Sequence, residues 1–422
     1  MNRALEWALA ATLVCAVCAL GATPALAWAA AGAVTSLLLI AALLFGALDD
    51  REFVRALAWP AAVMAYAALS LWYSVVPQRS VFFLAQWGAY FAAGLVAFHC
   101  VRRGGGRVLI RALVWLAAAQ ALFGLIQYLT GYRRVFWYEK TRYLEDATGT
   151  YITHNHFAGL MVLALGPALA LGVARLLGRR PRGHLYLAAA GVMLLALVFS
   201  RSRMGMAAGF ATLLVFSVYA GVKSRRRAAA FAVVAVPLAV AGYAAWIGLG
   251  PVAGRFAQIA EPGYAEAEPR VTIWRDSWSL VKQHAWFGSG AGTFPSVYPT
   301  VRTEPSDLRW MEAHNDYLQL LCELGIAGLL LVFLPLLMLV IQLGRKALHA
   351  PGMEGRTEAA IAASLAGILL HELTDFHLYV PANAMLIMTL AGIGYARVKG
   401  RAPDMRRWRL RERPQPAVTA PH

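Results

Sequence analysis

Apolar residues run along most of the chain in long blocks, broken by short polar segments. A membrane-crossing helix needs roughly 20 predominantly apolar residues. Twelve blocks read that way, at residues 4–23, 26–48, 54–74, 80–101, 108–130, 155–177, 185–200, 204–222, 229–249, 316–343, 358–376 and 382–398. The pattern predicts an all-α polytopic membrane protein with about 12 transmembrane helices. Two polar intervals are long, one from about Gly131 to Thr153 and one from about Gly250 to Ala313. The second carries aromatics, prolines and glycines, and is expected to hold structure of its own.

Composition agrees with a membrane protein. Hydrophobic residues make up 59% and charged residues only 14%, well below a soluble chain. The net charge of +17 needs no nucleic-acid partner, because its placement matters more than its sum. With a cytoplasmic N-terminus, 26 of the 39 Lys and Arg fall in cytoplasmic loops and the basic tail, as the positive-inside rule requires. Both termini are then cytoplasmic, and the long loop between helices 9 and 10 is on the outside. Residues 1–27 resemble a signal peptide ending at Ala25-Leu26-Ala27, but a second apolar run follows at once. A retained first span is the favoured reading. Cys15 and Cys18 read as small apolar residues on a helix, not as half of a zinc site.

The informative residues break membrane rules. Arg201 and Arg203 lie in a tight outer turn where orientation does not need them, which suggests an anion site. In the large outer loop, Arg270, Trp274 and Ser277 share a helical face, with Pro269 suited to the first turn. Arg275 stands beside Asp276 as a local ion pair. His314 opens span ten, and Asp316, Gln319 and Glu323 continue from it as one polar stripe. Glu323 lies about 13 Å further along the axis than His314, so it must face protein or water. In His371-Glu372-Leu373-Thr374-Asp375-Phe376-His377 the spacing matches no metal site, and hydrogen bonding that fixes a turn is expected instead.

Together these residues resemble the O-antigen ligase/polymerase superfamily, over roughly Gly149 to Gly394. The carrying stretches are Thr153 to Gly159, Ser202-Arg203-Met204-Gly205, Arg270 through Phe294, His314 to Gln319 with Glu323-Leu324-Gly325, and His371 to Asn383. The resemblance implies a GT-C-type inner-membrane glycosyltransferase. It would move a glycan from undecaprenyl diphosphate to an acceptor on the periplasmic side, by an inverting reaction with no metal and no cofactor. Residues 1–148 would be N-terminal helices, 149–398 the ligase-related domain with loop 250–313, and 399–422 a basic tail facing membrane lipids.

By residue, Arg203, Arg270 and His314 match the family's two arginines and its histidine, and Arg201 competes with Arg203. The arginines would bind the donor diphosphate bidentately. His314 would take the acceptor proton. Asn315, Asp316, Tyr317, Glu323 and Arg275 are possible supporting residues. Lipid A-core is the favoured acceptor, which is O-antigen ligation. A growing glycan would make the protein a polymerase, and a multi-span transporter or flippase is the reading from another class.

Overall fold

The computed structural model describes residues 2–178, 182–223, 269–303, 309–350 and 355–400. Helices stand at eleven of the twelve expected positions, and the ninth, 229–249, lies outside the described residues. In chain order they are α1 (Asn2–Cys18), α2 (Ala25–Ala42), α3 (Arg51–Leu69), α4 (Pro77–Arg102), α5 (Arg107–Thr130), α6 (His154–Leu177), α7 (Gly183–Phe199) and α8 (Arg203–Lys223). The second long polar interval contributes α9 (Pro269–Gln283) and the single turn α10 (Phe294–Val297). The last three are α11 (Asp316–His349), α12 (Arg356–His371) and α13 (Pro381–Lys399). Seven of the described helices are long and apolar enough to cross a membrane. The described strands are two short ones, β1 (Arg134–Val135) and β2 (Tyr138–Glu139), paired antiparallel in the first long loop.

Small residues let the helix backbones approach, as membrane bundles require where lipid provides no hydrophobic drive between helices. A Cβ on Gly392 of α13 would lie 2.0 Å from the Gly94 carbonyl of α4. One on Gly166 of α6 would lie 2.4 Å from the Ala360 carbonyl of α12. α6 is buried on nearly every side by α5, α7, α8 and α12. α1 is part of this bundle too. Leu9 and Val17 are fully buried, and the Glu6 carboxylate accepts the Val108 N–H at 2.7 Å, which caps the start of α5.

At one end of the bundle, buried Arg102 grips buried Asp50 with two bonds of 2.6 and 2.7 Å. The same guanidinium donates to the carbonyls of Lys399 and Gly400, so the start of α3 meets the ends of α4 and α13. At the other end the described part of the large loop forms its own small core. Ile273, Leu280, Phe294, Tyr298 and Leu318 pack there over the start of α11.

The expected single span at 316–343 is one long helix interrupted at Gly325, whose φ of 64° and ψ of −169° are not helical. Asp316 to Leu324 therefore form a short helix that carries the polar stripe, held among protein groups. Asp316, Gln319 and Glu323 are all buried, at 0%, 1% and 0% exposure, as their cost in lipid demands.

Candidate functional site

His314 is placed by its neighbours on both sides. Before it, the Ala313 carbonyl accepts the Trp274 indole N–H at 2.9 Å, and the Ala313 N–H donates to Gln319 at 2.8 Å. After it, Asn315 caps α11, its side chain accepting the Leu318 N–H at 3.0 Å. His314 itself has a φ of 52°, a left-handed value that a residue with a Cβ adopts at a cost. The strained turn sets the imidazole edge-on between Trp310 and Phe376, with centroids 5.8 and 4.8 Å away. One edge stays open, with 20% of the side chain exposed.

Behind the ring lies Asp375. Its Oδ1 is 3.8 Å from His314 Nδ1, which is ion-pair range but too long for a hydrogen bond. Asp375 is buried at 1% exposure, and neither of its oxygens has a hydrogen-bond partner. Burial alone would raise this carboxyl. The His314 side chain beside it works the other way, and the carboxyl is held well below the usual carboxylate range.

His371, Asp375 and His377 bring ligand-type atoms within 4.8 Å of one another. Hydrogen bonds already engage part of this set. Asn383 Oδ1 accepts from Tyr151 Oη at 2.7 Å, so the amide nitrogen points the other way. It donates to the His156 carbonyl at 2.9 Å and to His377 Nδ1 at 3.0 Å. By this network His377 carries its proton on Nε2 and donates it to His371 Nδ1 at 3.0 Å. A metal would need a lone pair on that same Nε2. Burial, then the neighbouring His371, holds His377 well below the usual histidine range, hence neutral.

The arginines behave differently from one another. Arg201, at a φ of 57°, pairs with Asp146, and also with Glu145 at 3.2 Å. Asp146 is shared with His154 Nδ1 at 2.6 Å. Burial would raise the Asp146 carboxyl, but bonding to His154 and the charge of Arg201 hold it low. Arg201 thus has carboxylate partners of its own, a structural use that its sequence position does not reveal.

Arg203 begins α8 at the same end of the bundle and is half-buried. Its turn is pinned to α6 by Ser202, whose hydroxyl donates to Asn155 at 2.7 Å. Gly205 is needed there, since a Cβ would come within 2.6 Å of that of Ala158. α6 in turn presents His156, 4.7 Å from the Phe376 ring that backs His314. Arg270 lies in the first turn of α9, half-buried and within electrostatic reach of buried His156 and His371.

Arg275 is exposed and forms no ion pair with Asp276, which corrects the expected local pairing. Asp276 is buried and instead accepts from Thr303 N at 3.1 Å, Thr303 Oγ1 at 2.8 Å and Tyr298 Oη at 3.2 Å. One helix position separates an outward side chain from an inward one. Glu266 and Glu268, the acidic residues that precede Arg270 in the sequence, lie outside the described residues.

The supporting residues act through the scaffold. Asp316 N–H donates to the carbonyls of Glu372 and Asp375 at 3.1 and 3.2 Å, and its carboxylate accepts the Leu378 N–H at 2.8 Å. It thereby fixes the turn that carries Asp375. Tyr317 stacks on Phe333 at 4.0 Å and donates to the Leu369 carbonyl at 2.8 Å. Glu323 accepts the N–H groups of Gly292 and Phe294 at 3.0 and 3.1 Å and the Tyr379 hydroxyl at 2.6 Å. Glu312, half-buried just before His314, is pushed up to about 8 by burial and by Asp316, Asp375 and Glu323, against the pull of Arg79.

Residues 188–333 match the family model described as O-antigen ligase. This segment is an O-antigen ligase family domain. No curated protein matches the chain. The O-antigen ligase segment runs from within α7 to within α11, and contains Arg201, Arg203, Arg270, Arg275 and His314. It ends before Asp375, the group on which the His314 ring is backed. Sequence reasoning assigned Asp375 to a turn and missed that role. The available signal was an Asp in the turn between the last two helices, with a histidine on either side.

Proposed function

We propose that this O-antigen ligase family protein is a glycosyltransferase of the bacterial inner membrane, GT-C in type. It takes a glycan from undecaprenyl diphosphate and delivers it on the periplasmic side, with lipid A-core as the favoured acceptor. The observation that carries the reading is His314, held by a strained turn at the end of the bundle away from Arg102, with ionised Asp375 behind it.

An acceptor hydroxyl attacks the anomeric carbon, and its proton passes to the open edge of His314. The carbon–oxygen bond to the diphosphate breaks, and the electron pair leaves on the diphosphate oxygen. The configuration inverts because attack comes opposite the leaving group. Arg203 and Arg270 stabilise the charge that develops on the diphosphate, so no metal is required. Asp375 orients the imidazole and stabilises the imidazolium that forms. Asp316, Glu323, Asn315 and Tyr317 position this set without touching substrate, and Arg201 holds the turn beside Arg203. Arg275 faces away. The helices before residue 149 complete the membrane body, and the basic tail, which from residue 401 lies outside the described residues, is proposed to face membrane lipids.

The second reading is a polymerase with the same chemistry and a growing glycan as acceptor. A purified-enzyme assay in detergent with EDTA separates them. It supplies undecaprenyl-diphosphate glycan, with lipid A-core in one tube and no second acceptor in the other. Glycosylated lipid A-core, absent with His314→Ala, supports the ligase. Lengthening of the lipid-linked glycan without added acceptor supports the polymerase. Movement of intact donor across a vesicle membrane without consumption would instead favour a flippase. Loss of transfer in EDTA with recovery on adding a divalent metal overturns the arginine mechanism.

A further inference from the structure

A cavity of about 1280 Å³ opens at the end of the bundle opposite His314. It lies between the last turns of α4, α6, α8 and α13 and the first turns of α5 and α12. Seven Lys and Arg side chains line it against one carboxylate, Glu358. That carboxylate is already paired with Arg397 at 2.9 Å. Lys223 and Lys346 donate to carbonyls of Ala350 and Arg397, which uses a hydrogen but leaves the charge. Arg107, Arg111 and Arg356 form no ion pair among the described residues. Two helices begin here, α5 after Gly106 and α12 after Gly355, and four end here, so the positive field comes from the side chains and not from the helix termini.

The positive-inside rule explains cations at this end of the helices. It does not explain gathering them around one cavity, where like charges repel and the field is focused. An anion relieves that repulsion. The deeper wall is apolar, formed by Pro167, Ala170, Leu171, Ile361 and Ile393. The lining therefore matches a molecule with a phosphate head and an apolar tail.

We propose that this cavity binds the phosphate headgroup of an anionic membrane lipid from the basic side of the bundle, with its acyl chains against the apolar wall. The site is separate from the proposed donor site, since α6, α8, α11, α12 and α13 run between them. Basic pockets between membrane helices take phosphorylated headgroups by this chemistry.

The test uses the full-length protein, delipidated in neutral detergent and given phosphatidylglycerol, cardiolipin or phosphatidylcholine. Native mass spectrometry reads the lipid retained. Wild type is expected to retain an anionic lipid and to lose phosphatidylcholine. The triple variant Arg107→Gln/Arg111→Gln/Arg356→Gln is expected to retain at least tenfold less, and Arg133→Gln/Arg134→Gln, at the far end, as much as wild type. Should the triple variant not fold, Arg107→Gln and Arg111→Gln alone are each expected to cut retention about threefold. Equal retention by a folded basic-end variant and wild type overturns the proposal. So does displacement of the lipid by millimolar inorganic phosphate, which would mark a site for soluble phosphate.

Discussion

At the residue scale the site is a set of charges whose neighbours determine their use. Arg201 is paired with Asp146 and Glu145. Arg201→Ala should lower the Tm, at a cost of about 1–3 kcal/mol, because Asp146 is left buried without its cation. Glycosyl transfer by that variant should stay within about tenfold of wild type, whereas Arg203→Ala and Arg270→Ala should abolish it; equal losses in all three would reverse this division. Asp375→Asn should lower kcat about a hundredfold or more with little change in KM, the range expected when a general base loses its orienting partner.

Glu312 makes a pH-dependent prediction. Its carboxyl is pushed up to about 8 in the folded protein, against about 4.3 unfolded, so the folded state holds its proton more tightly. Its contribution to stability is complete below about pH 4.3 and is lost as pH rises toward about 8. Glu312→Gln should therefore lose less Tm between pH 6 and 8 than wild type, as followed by thermal unfolding in detergent. Parallel curves would mean that Glu312 is ionised at neutral pH.

At the element scale, the segment that follows α9 is bolted to the first turns of α11. Gly288 and Gly325 are the crossing points, with φ of 71° and 64°. A Cβ on Gly288 would lie 2.2 Å from the Glu323 carbonyl, and one on Gly325 would lie 2.3 Å from that of Trp286. Neither backbone can yield cheaply, so Gly288→Ala or Gly325→Ala should sharply reduce the yield of folded protein. Glu323→Gln is milder. The amide retains one acceptor oxygen for the two N–H groups of Gly292 and Phe294, so a loss of about 1–3 kcal/mol is expected, with transfer lost only in step with folding. A Glu323→Gln protein of wild-type Tm but no transfer would show that Glu323 acts in the chemistry itself. The polar stripe of Asp316, Gln319 and Glu323 was visible in sequence as i, i+3, i+7. Its partners were not, because they come from residues 292–294 and 372–379, brought to it only by folding.

At the scale of the whole molecule, the two ends of the bundle carry different chemistry. On a cysteine-free background, Lys282→Cys should react with a membrane-impermeant maleimide on intact spheroplasts, and Asp49→Cys only after lysis. Both positions are exposed, at opposite ends. The reverse pattern would invert the topology and place His314 in the cytoplasm. Much of this architecture was legible in one dimension. Runs of about 20 apolar residues must become helices in lipid, because every backbone polar group needs an internal partner there. The rule-breaking Arg203, Arg270 and His314 were legible for the same reason, since a charge or a polar ring near lipid stands out against its surroundings. Only the tertiary structure could say which of these groups is already satisfied. It gave Arg201 to Asp146, turned Asp276 away from Arg275, set Asp375 behind His314 across 61 residues of chain, and closed cations from separate helices around one cavity. Sequence carries each residue's cost of burial, whereas the partner that offsets the cost is a property of three-dimensional packing.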